Sequence, residues 1–135
     1  MCTSVTYEMA NGSNALARTM DFAFILYPDM VVMPRGYTWR GQTDGIKRTT
    51  DYAFGGLSRN LGEYVFADGV NEKGLGCAVL YFAGYASYQK EAVPGKVNLA
   101  PHEVVFWLLS SFQTVEEVKA AVKELNIVHT VIELL

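Results

Sequence analysis

The chain has 135 residues, of which 50% are hydrophobic and 13% aromatic, and its formal net charge is −3. This length fits one domain, and the composition excludes a disordered chain. Acidic and basic residues are mixed without a basic stripe, so we expect no nucleic-acid partner. No apolar run approaches the ~20 residues that cross a bilayer, and the first residues lack the features of a signal peptide. We therefore expect no membrane partner and a cytoplasmic protein in which Cys2 and Cys77 are reduced thiols.

The first part of the sequence predicts antiparallel strands. Residues 2–9 and 15–24 contain β-branched and aromatic residues that favour strands. Between them, Asn11-Gly12 is a dipeptide typical of tight hairpin turns. The sequence therefore predicts a hairpin, and a third apolar run over residues 30–33 predicts another strand that ends at Pro34.

The middle of the sequence alternates turn-rich and apolar segments. Residues 35–51 are polar and rich in turn residues, and they predict a long surface excursion. Residues 52–54 predict a strand that ends at Gly55-Gly56. Residues 63–67 and 75–82 then predict a second hairpin around a glycine-rich turn.

After Gly95 the apolar residues recur at helical spacing. Pro101 suits the first turn of a helix, and Thr114 to Glu117 form a capping box that opens a second helix. Strands followed by helices predict an α+β fold with the helices on an antiparallel sheet. The predicted apolar faces are Val104, Val105, Leu108, Leu109 and Phe112 for the first helix, and Val115, Val118, Ala121, Val122 and Leu125 for the second.

Cys2 follows the start methionine directly, where a thiol has little core to join. If Met1 is removed, as is usual before a small residue, Cys2 carries a thiol and its own α-amine. The reference pKa values of these groups are about 8.5 and about 7.7–8.0, so the amine can accept the thiol proton and later return it to a leaving group. Cys2 is therefore either a nucleophile or a passive cysteine near the chain end.

The segment Leu16–Phe22 contains Arg18 and Asp21 on the strand predicted to pair with that of Cys2. A guanidinium beside the sulfur stabilises a thiolate, and a carboxylate can hold the α-amine. Residues three apart on a regular strand face opposite sides, so both reach Cys2 only if the backbone bends or bulges after Thr19. The alternative is a surface ion pair without a function, worth ~0–1 kcal/mol.

Four segments of the sequence stand out, in order: MCTS at the start, LARTMDF at 16–22, ADGVNEKGLGCAVLYFAGYASY at 67–88 and TVEEVK at 114–119. Together they resemble the choloylglycine hydrolase family, which includes penicillin V acylases and bile salt hydrolases. The resemblance implies an N-terminal-nucleophile (Ntn) hydrolase fold, an αββα sandwich, and a small-molecule amide substrate attacked by the Cys2 thiolate. It also implies that Arg18 lies beside the sulfur, that Asp21 binds the α-amine, that no cofactor is needed and that the protein is a homotetramer.

The resemblance further implies that the backbone N–H of Tyr81 contributes to the oxyanion hole. Family members similar to penicillin acylases tend to carry Tyr at this position and bile salt hydrolases tend to carry Asn. This favours penicillin V-like amides, with conjugated bile salts as the alternative. The acyl pocket is expected to contain Met20, Phe24, Leu61 and Tyr64. The alternative for each of these five residues is an ordinary place in the hydrophobic core.

Family members are considerably longer than this chain, and their second half supplies an Asn for the oxyanion hole and another Arg near the nucleophile. We therefore expect residues 1–135 to be a single domain that forms the N-terminal portion of the fold. A second chain completing the sheet is an alternative to the homo-oligomer. A different class of function, a non-catalytic fragment or assembly module, also remains open.

Other patterns in the sequence do not indicate a metal or nucleotide site. Residues 68–74 lack an oxygen ligand at the third position of a calcium loop and are predicted to be a hairpin turn. His102 and His129 have no ligands at metal-binding spacing, and His102 is predicted to lie on the surface at a helix start. Cys77 is predicted to be a small buried apolar residue.

Overall fold

The computed structural model describes residues 2–21, 27–80 and 84–130. The helices are α1 (Val104–Ser111) and α2 (Val115–Ala121), with short 3₁₀ helices at Pro101–Glu103 and Val122–Glu124. The strands are β1 (Ser4–Glu8), β2 (Asn14–Arg18), β3 (Asp29–Met33), β4 (Thr38–Arg40), β5 (Lys47–Thr49), β6 (Phe54–Asn60), β7 (Tyr64–Phe66), β8 (Asp68–Asn71), β9 (Gly76–Ala78), β10 (Val97–Leu99) and β11 (Leu125–Ile127). Strands precede helices along most of the chain, so the predicted α+β class is confirmed.

The main sheet is antiparallel and has the strand order β3-β6-β8-β9, with β7 also paired to β6. Two antiparallel hairpins, β1–β2 and β4–β5, lie outside this sheet. A parallel pair, β10–β11, connects the segment before α1 to the segment after α2. In the described residues, no helix has both the length and the apolar character of a membrane span.

The predicted first hairpin is present, with Ser4 opposite Arg18 in its register. Its turn closes through the Met9 N–H, which donates to the Ser13 carbonyl over 2.7 Å, and Gly12 adopts a φ of +80°. This conformation suits the Asn-Gly signal in the sequence. The second strand was predicted to continue to residue 24 but ends at Arg18, and residues 22–26 lie outside the described part of the chain.

The prediction that Gly55-Gly56 ends a strand is wrong, because β6 continues through both glycines to Asn60. A β-carbon at residue 56 would overlap the backbone carbonyl oxygen of Asp68. Glycine is therefore needed for a close approach of two strands rather than for a turn. The predicted turn at 68–74 is also shorter than expected, because Asp68–Asn71 forms β8, which pairs with β9.

Residues 35–51 lie mostly at the surface, as their composition predicts, but they also form regular structure. They contain the β4–β5 hairpin, and Thr50 is buried. The Trp39 ring lies 5.0 Å from the Phe106 ring, so this hairpin covers one side of the core. The contact between Trp39 and Phe106 helps to give an otherwise polar segment a fixed position.

The hydrophobic core lies between the main sheet and α1, and its sheet residues lie on β3, β6 and β7. The side chains that α1 buries are partly those predicted, but Val104 and Leu108 are only half-buried. α2 begins as predicted, since the Thr114 hydroxyl accepts a hydrogen bond from the Glu117 N–H over 3.2 Å. However, no residue of α2 is fully buried: Val118 and Ala121 of its predicted apolar stripe are half-buried, whereas Val115 is exposed. The core residues are Met33, Phe54, Phe66, Val105, Phe106 and Leu109.

The parallel pairing of β10 with β11 was not predicted, because each strand has only three residues. Asn98 and Asn126 lie opposite each other in this register and are both buried. The Asn126 side-chain amide donates to the Asn98 side-chain oxygen over 2.7 Å. This hydrogen bond satisfies two buried polar groups at a place where short strands alone bury little apolar surface.

Candidate active site

The β1–β2 hairpin brings Cys2 and Arg18 together from positions 16 residues apart. Pairing continues beyond the strand ends, because the Thr3 N–H donates to the Thr19 hydroxyl over 3.0 Å and the Thr19 N–H donates to the Thr3 carbonyl over 2.9 Å. These two bonds hold the residue before Thr3 beside the last residue of β2. The Arg18 Nη2 atom consequently lies 3.5 Å from the Cys2 sulfur.

The environment of this pair is nearly dry. Cys2 is 8% exposed, and the Arg18 side chain is 7% exposed. Charge interactions are stronger in such surroundings than in water, and a neighbouring cation favours the thiolate form of a cysteine. The arrangement is therefore able to hold a nucleophilic sulfur anion.

The segment after β2 has the break in strand geometry that the Asp21 hypothesis requires. β2 ends at Arg18, and residues 19–21 have no regular secondary structure. The alternation of strand faces therefore no longer separates Asp21 from Arg18. Asp21 itself is exposed, and its predicted role toward the α-amine stays a prediction.

The predicted pocket residues are found in different surroundings. Met20 is half-buried just after β2, and Leu61 is exposed in the connection between β6 and β7. Tyr64 packs against the hydrophobic core and lines a cavity of about 30 Å³ together with Trp39 and Phe106. Their assignment to an acyl pocket stays a prediction. Phe24 and Tyr81 lie outside the described residues.

The sequence predicts His102 at the surface, but its side chain is buried in the structure. Its side chain is 8% exposed and its Nε2 atom is 3.1 Å from a carboxylate oxygen of Glu63. The 3₁₀ turn before α1 directs it inward, against β7. Among the residues that the structure describes, no three potential metal ligands form a cluster.

One residue beside the Arg18–Cys2 pair was missed by the sequence reasoning. The sequence predicts a turn at Asp68, but this residue begins β8 and one of its carboxylate oxygens lies 3.5 Å from the Arg18 Nη1 atom. The same Nη1 atom is 3.4 Å from the Ala67 carbonyl oxygen. The sequence contained a signal for this role of Asp68. It is an acidic residue that directly follows an apolar strand, and it lies in the segment 67–88 that carries the family resemblance.

The second cysteine has a different environment from the first. Cys77 lies on β9 opposite Gly69 and packs against the core. Burial raises the pKa of the Cys77 thiol to about 11. Cys77 is therefore a neutral thiol at physiological pH and lacks the reactivity of a nucleophile.

This difference predicts selective modification by iodoacetamide. At pH 8 only roughly one Cys77 side chain in a thousand is a thiolate, given its pKa of about 11. We expect Cys2 to be carbamidomethylated at least about tenfold faster than Cys77, because a guanidinium 3.5 Å from a sulfur favours the thiolate. Peptide mapping by mass spectrometry separates the two sites. Equal rates, or faster labelling of Cys77, would contradict the activation of Cys2.

Comparison with known proteins identifies the family. The model of the linear amide C–N hydrolases, choloylglycine hydrolase family, matches residues 2–135. The chain is 40% identical over 129 residues to a bile salt hydrolase/transferase of Clostridium perfringens, an alignment covering 95% of this chain and 39% of that protein. It is 39% identical over 133 residues to a bile salt hydrolase/transferase of Lactiplantibacillus plantarum, covering 96% of this chain and 39% of that protein.

Solved structures agree with this match. The C2A mutant of the conjugated bile acid hydrolase from C. perfringens superimposes with a TM-score of 0.87 at 37% identity, and its R18L variant with 0.86 at 36%. A penicillin V acylase from Agrobacterium tumefaciens gives a TM-score of 0.78 at 27% identity. Each alignment covers 96% of this chain and 40% of the other, so the chain spans about two fifths of the length of these relatives. The predicted Ntn-hydrolase fold is confirmed, and the chain belongs to the choloylglycine hydrolase family of linear amide C–N hydrolases.

Proposed function

We propose that Cys2 is the nucleophile in the hydrolysis of a small linear amide. The observation that carries this proposal is the 3.5 Å distance between the Arg18 guanidinium and the buried Cys2 sulfur. A cysteine at position 2 and an arginine at position 18 are also the residues substituted in the two C. perfringens structures. The family match supports the reaction class.

In the first half of the proposed reaction, the Cys2 sulfur forms a bond to the substrate carbonyl carbon. The α-amine of Cys2, exposed once Met1 is removed, takes the thiol proton. The carbonyl oxygen becomes an oxyanion, which accepts a hydrogen bond from the Tyr81 N–H. One such donor typically lowers the barrier by about 3–4 kcal/mol. The C–N bond then breaks, and the α-ammonium returns the proton to the leaving amine.

In the second half, water cleaves the thioester. The α-amine removes a proton from the water, whose oxygen attacks the acyl carbon, and the thiolate leaves with Arg18 beside it. The products are a carboxylic acid and the regenerated enzyme. Asp21 has the role of holding the α-amine in place through both halves, and the end of β2 at Arg18 gives the backbone the freedom to direct it there.

Penicillin V-like acyl amides are the first substrate class that we propose. Tyr81 supports this choice, because relatives similar to penicillin acylases tend to carry Tyr at the matching position. Conjugated bile salts are the second candidate. The 37% identity to a solved conjugated bile acid hydrolase, against 27% to a solved penicillin V acylase, favours bile salts.

The ratio of kcat/KM for the two substrates, measured before and after one substitution, distinguishes the two substrate classes. We expect kcat/KM for penicillin V to exceed that for glycine-conjugated cholate. The Tyr81 side chain is proposed to line the acyl pocket while its N–H serves the oxyanion, so Tyr81→Asn should move this ratio toward the bile salt by about 10–100-fold, the range that changes in one pocket contact produce. Released amines can be measured with fluorescamine.

Tyr85→Asn is the matched control, because Tyr85 is 80% exposed. The ratio should stay within about twofold of the unmodified protein, as for other exposed positions. A protein that prefers the bile salt, with a ratio unaffected by Tyr81→Asn, would contradict the penicillin V proposal and support the second candidate.

A further inference from the structure

We propose that Asp68 is a positioning residue that holds the Arg18 guanidinium against the Cys2 sulfur; this inference rests on the proposed role of Cys2. The Arg18 Nη1 atom lies 3.5 Å from Asp68 Oδ2 and 3.4 Å from the Ala67 carbonyl oxygen. The Nη2 atom lies 3.5 Å from the sulfur. The guanidinium therefore bridges the start of β8 and the nucleophile.

Arg18 depends on these contacts for its orientation. Its Nε atom is buried and has no hydrogen-bond partner among the described residues. Both acceptors of Nη1 come from the adjacent residues 67 and 68. Because the guanidinium is planar and rigid, fixing Nη1 also fixes the direction of Nη2. Asp68 is the charged member of this pair of acceptors, and a charge-assisted bond is stronger than one to a neutral carbonyl.

Asp68 is itself held by the main sheet. Its other carboxylate oxygen accepts a hydrogen bond from the Leu57 N–H over 3.3 Å. The Ala67 N–H donates to the Leu57 carbonyl over 2.9 Å, so the junction of β7 and β8 is attached to β6 at this point. Gly56 allows the backbone of Asp68 to approach β6 closely. The carboxylate thus transmits the position of a rigid strand to Arg18.

The sign of the electrostatic effect distinguishes positioning from a direct action of the carboxylate. Asp68 and a Cys2 thiolate are like charges, so the carboxylate by itself disfavours the thiolate. Through Arg18 it favours the thiolate, because it keeps the cation beside the sulfur. Removing the charge of Asp68 therefore raises the pH at which Cys2 ionises only if positioning dominates.

The test is the pH profile of Cys2 alkylation by iodoacetamide, followed at the Cys2 peptide between pH 5 and 10. We expect Asp68→Asn to move the midpoint upward by at least about half a pH unit, a part of the 1–3 units that a neighbouring opposite charge contributes. Arg18→Gln should move it further in the same direction. An unchanged or lowered midpoint in Asp68→Asn overturns the proposal.

The double variant tests whether Asp68 acts through Arg18. In the Arg18→Gln background, Asp68→Asn should cause no upward shift, because there is no guanidinium left to position. An upward shift in that background overturns the proposal. Asp68→Glu, which keeps the charge on a longer side chain, should restore part of the normal midpoint and also serves if Asp68→Asn fails to fold.

Glu72→Gln is the matched control in the same β8–β9 hairpin. Glu72 forms a 2.6 Å ion pair with Arg35, and that hydrogen-bonded contact lowers the pKa of Glu72 to about 2. The substitution thus removes a comparable carboxylate–arginine pair away from Cys2. Its Cys2 midpoint should be unchanged, and a shift equal to that of Asp68→Asn would show that loss of any charge in the hairpin is sufficient, which overturns the proposal.

The alkylation profile does not require substrate turnover. A protein without amidase activity, but with the expected shifts, contradicts the proposed function and supports the role of Asp68 toward Arg18. An active protein whose alkylation profile is unaffected by Asp68→Asn supports the proposed function and contradicts the role of Asp68. Failure of either proposal is therefore recognisable separately.

Discussion

Cys2→Ala should reduce hydrolysis of penicillin V and of a glycine-conjugated bile salt by at least about 10³-fold, since loss of the nucleophile in a serine hydrolase costs about 10⁶-fold in kcat. The alanine variant has no sulfur to form the acyl-enzyme. Arg18 then has no thiolate to stabilise. Steady-state release of the amine product measures the effect.

Cys77→Ala is the control for loss of a thiol elsewhere. Cys77 packs against the core and has a pKa of about 11, so its removal should leave kcat within about threefold.

Intact mass provides an independent check, because the proposed mechanism requires Cys2 to carry the α-amine. An active protein that retains Met1, or a Cys2→Ala variant with normal activity, would contradict the mechanism. A chain inactive on both substrates would favour the non-catalytic alternative.

Phe106→Ala should lower the free energy of unfolding by about 3–5 kcal/mol, the usual cost of removing a buried phenylalanine. Phe106 is 5% exposed and lies at the centre of the aromatic core. Its ring is 5.0 Å from Trp39, 5.0 Å from Phe54 and 5.8 Å from Phe66. The substitution removes these ring contacts, through which α1 packs against the main sheet and the β4–β5 hairpin. Urea denaturation measures the change.

Tyr27→Ala is the matched aromatic control, because Tyr27 is 71% exposed. Its effect should stay within about 0.5 kcal/mol, as for most surface substitutions. A loss at Phe106 no greater than that at Tyr27 would mean that this aromatic cluster is not the centre of the stable core.

Local signals in the sequence predicted the local structure well. The Asn11-Gly12 turn predicted the first hairpin, and Thr114 with Glu117 predicted the start of α2. Each of these features depends on neighbours within a few residues, so no tertiary information is needed. Arg18 was also proposed as a partner of Cys2 from the hairpin alone, because antiparallel pairing places the two strands side by side.

Non-local contacts caused the errors. Gly55-Gly56 has the composition of a turn, but the approach of β8 makes it the middle of a strand. Trp39 has polar neighbours in sequence, and only the position of Phe106 shows that it belongs to the core. Asp68 was assigned to a turn for the same reason, since Arg18 is its contact and lies 50 residues earlier.

The sequence by itself determined the nucleophile candidate and the first hairpin, which depend on residue identity and contacts within one short segment, and the family, which depends on residue identity in four segments along the chain. Only the tertiary structure decided which residues hold Arg18 and which residues of α1 are buried. Burial and ion pairing between distant segments depend on how whole strands and helices pack, and the order of residues along the chain contains no local signal for that packing.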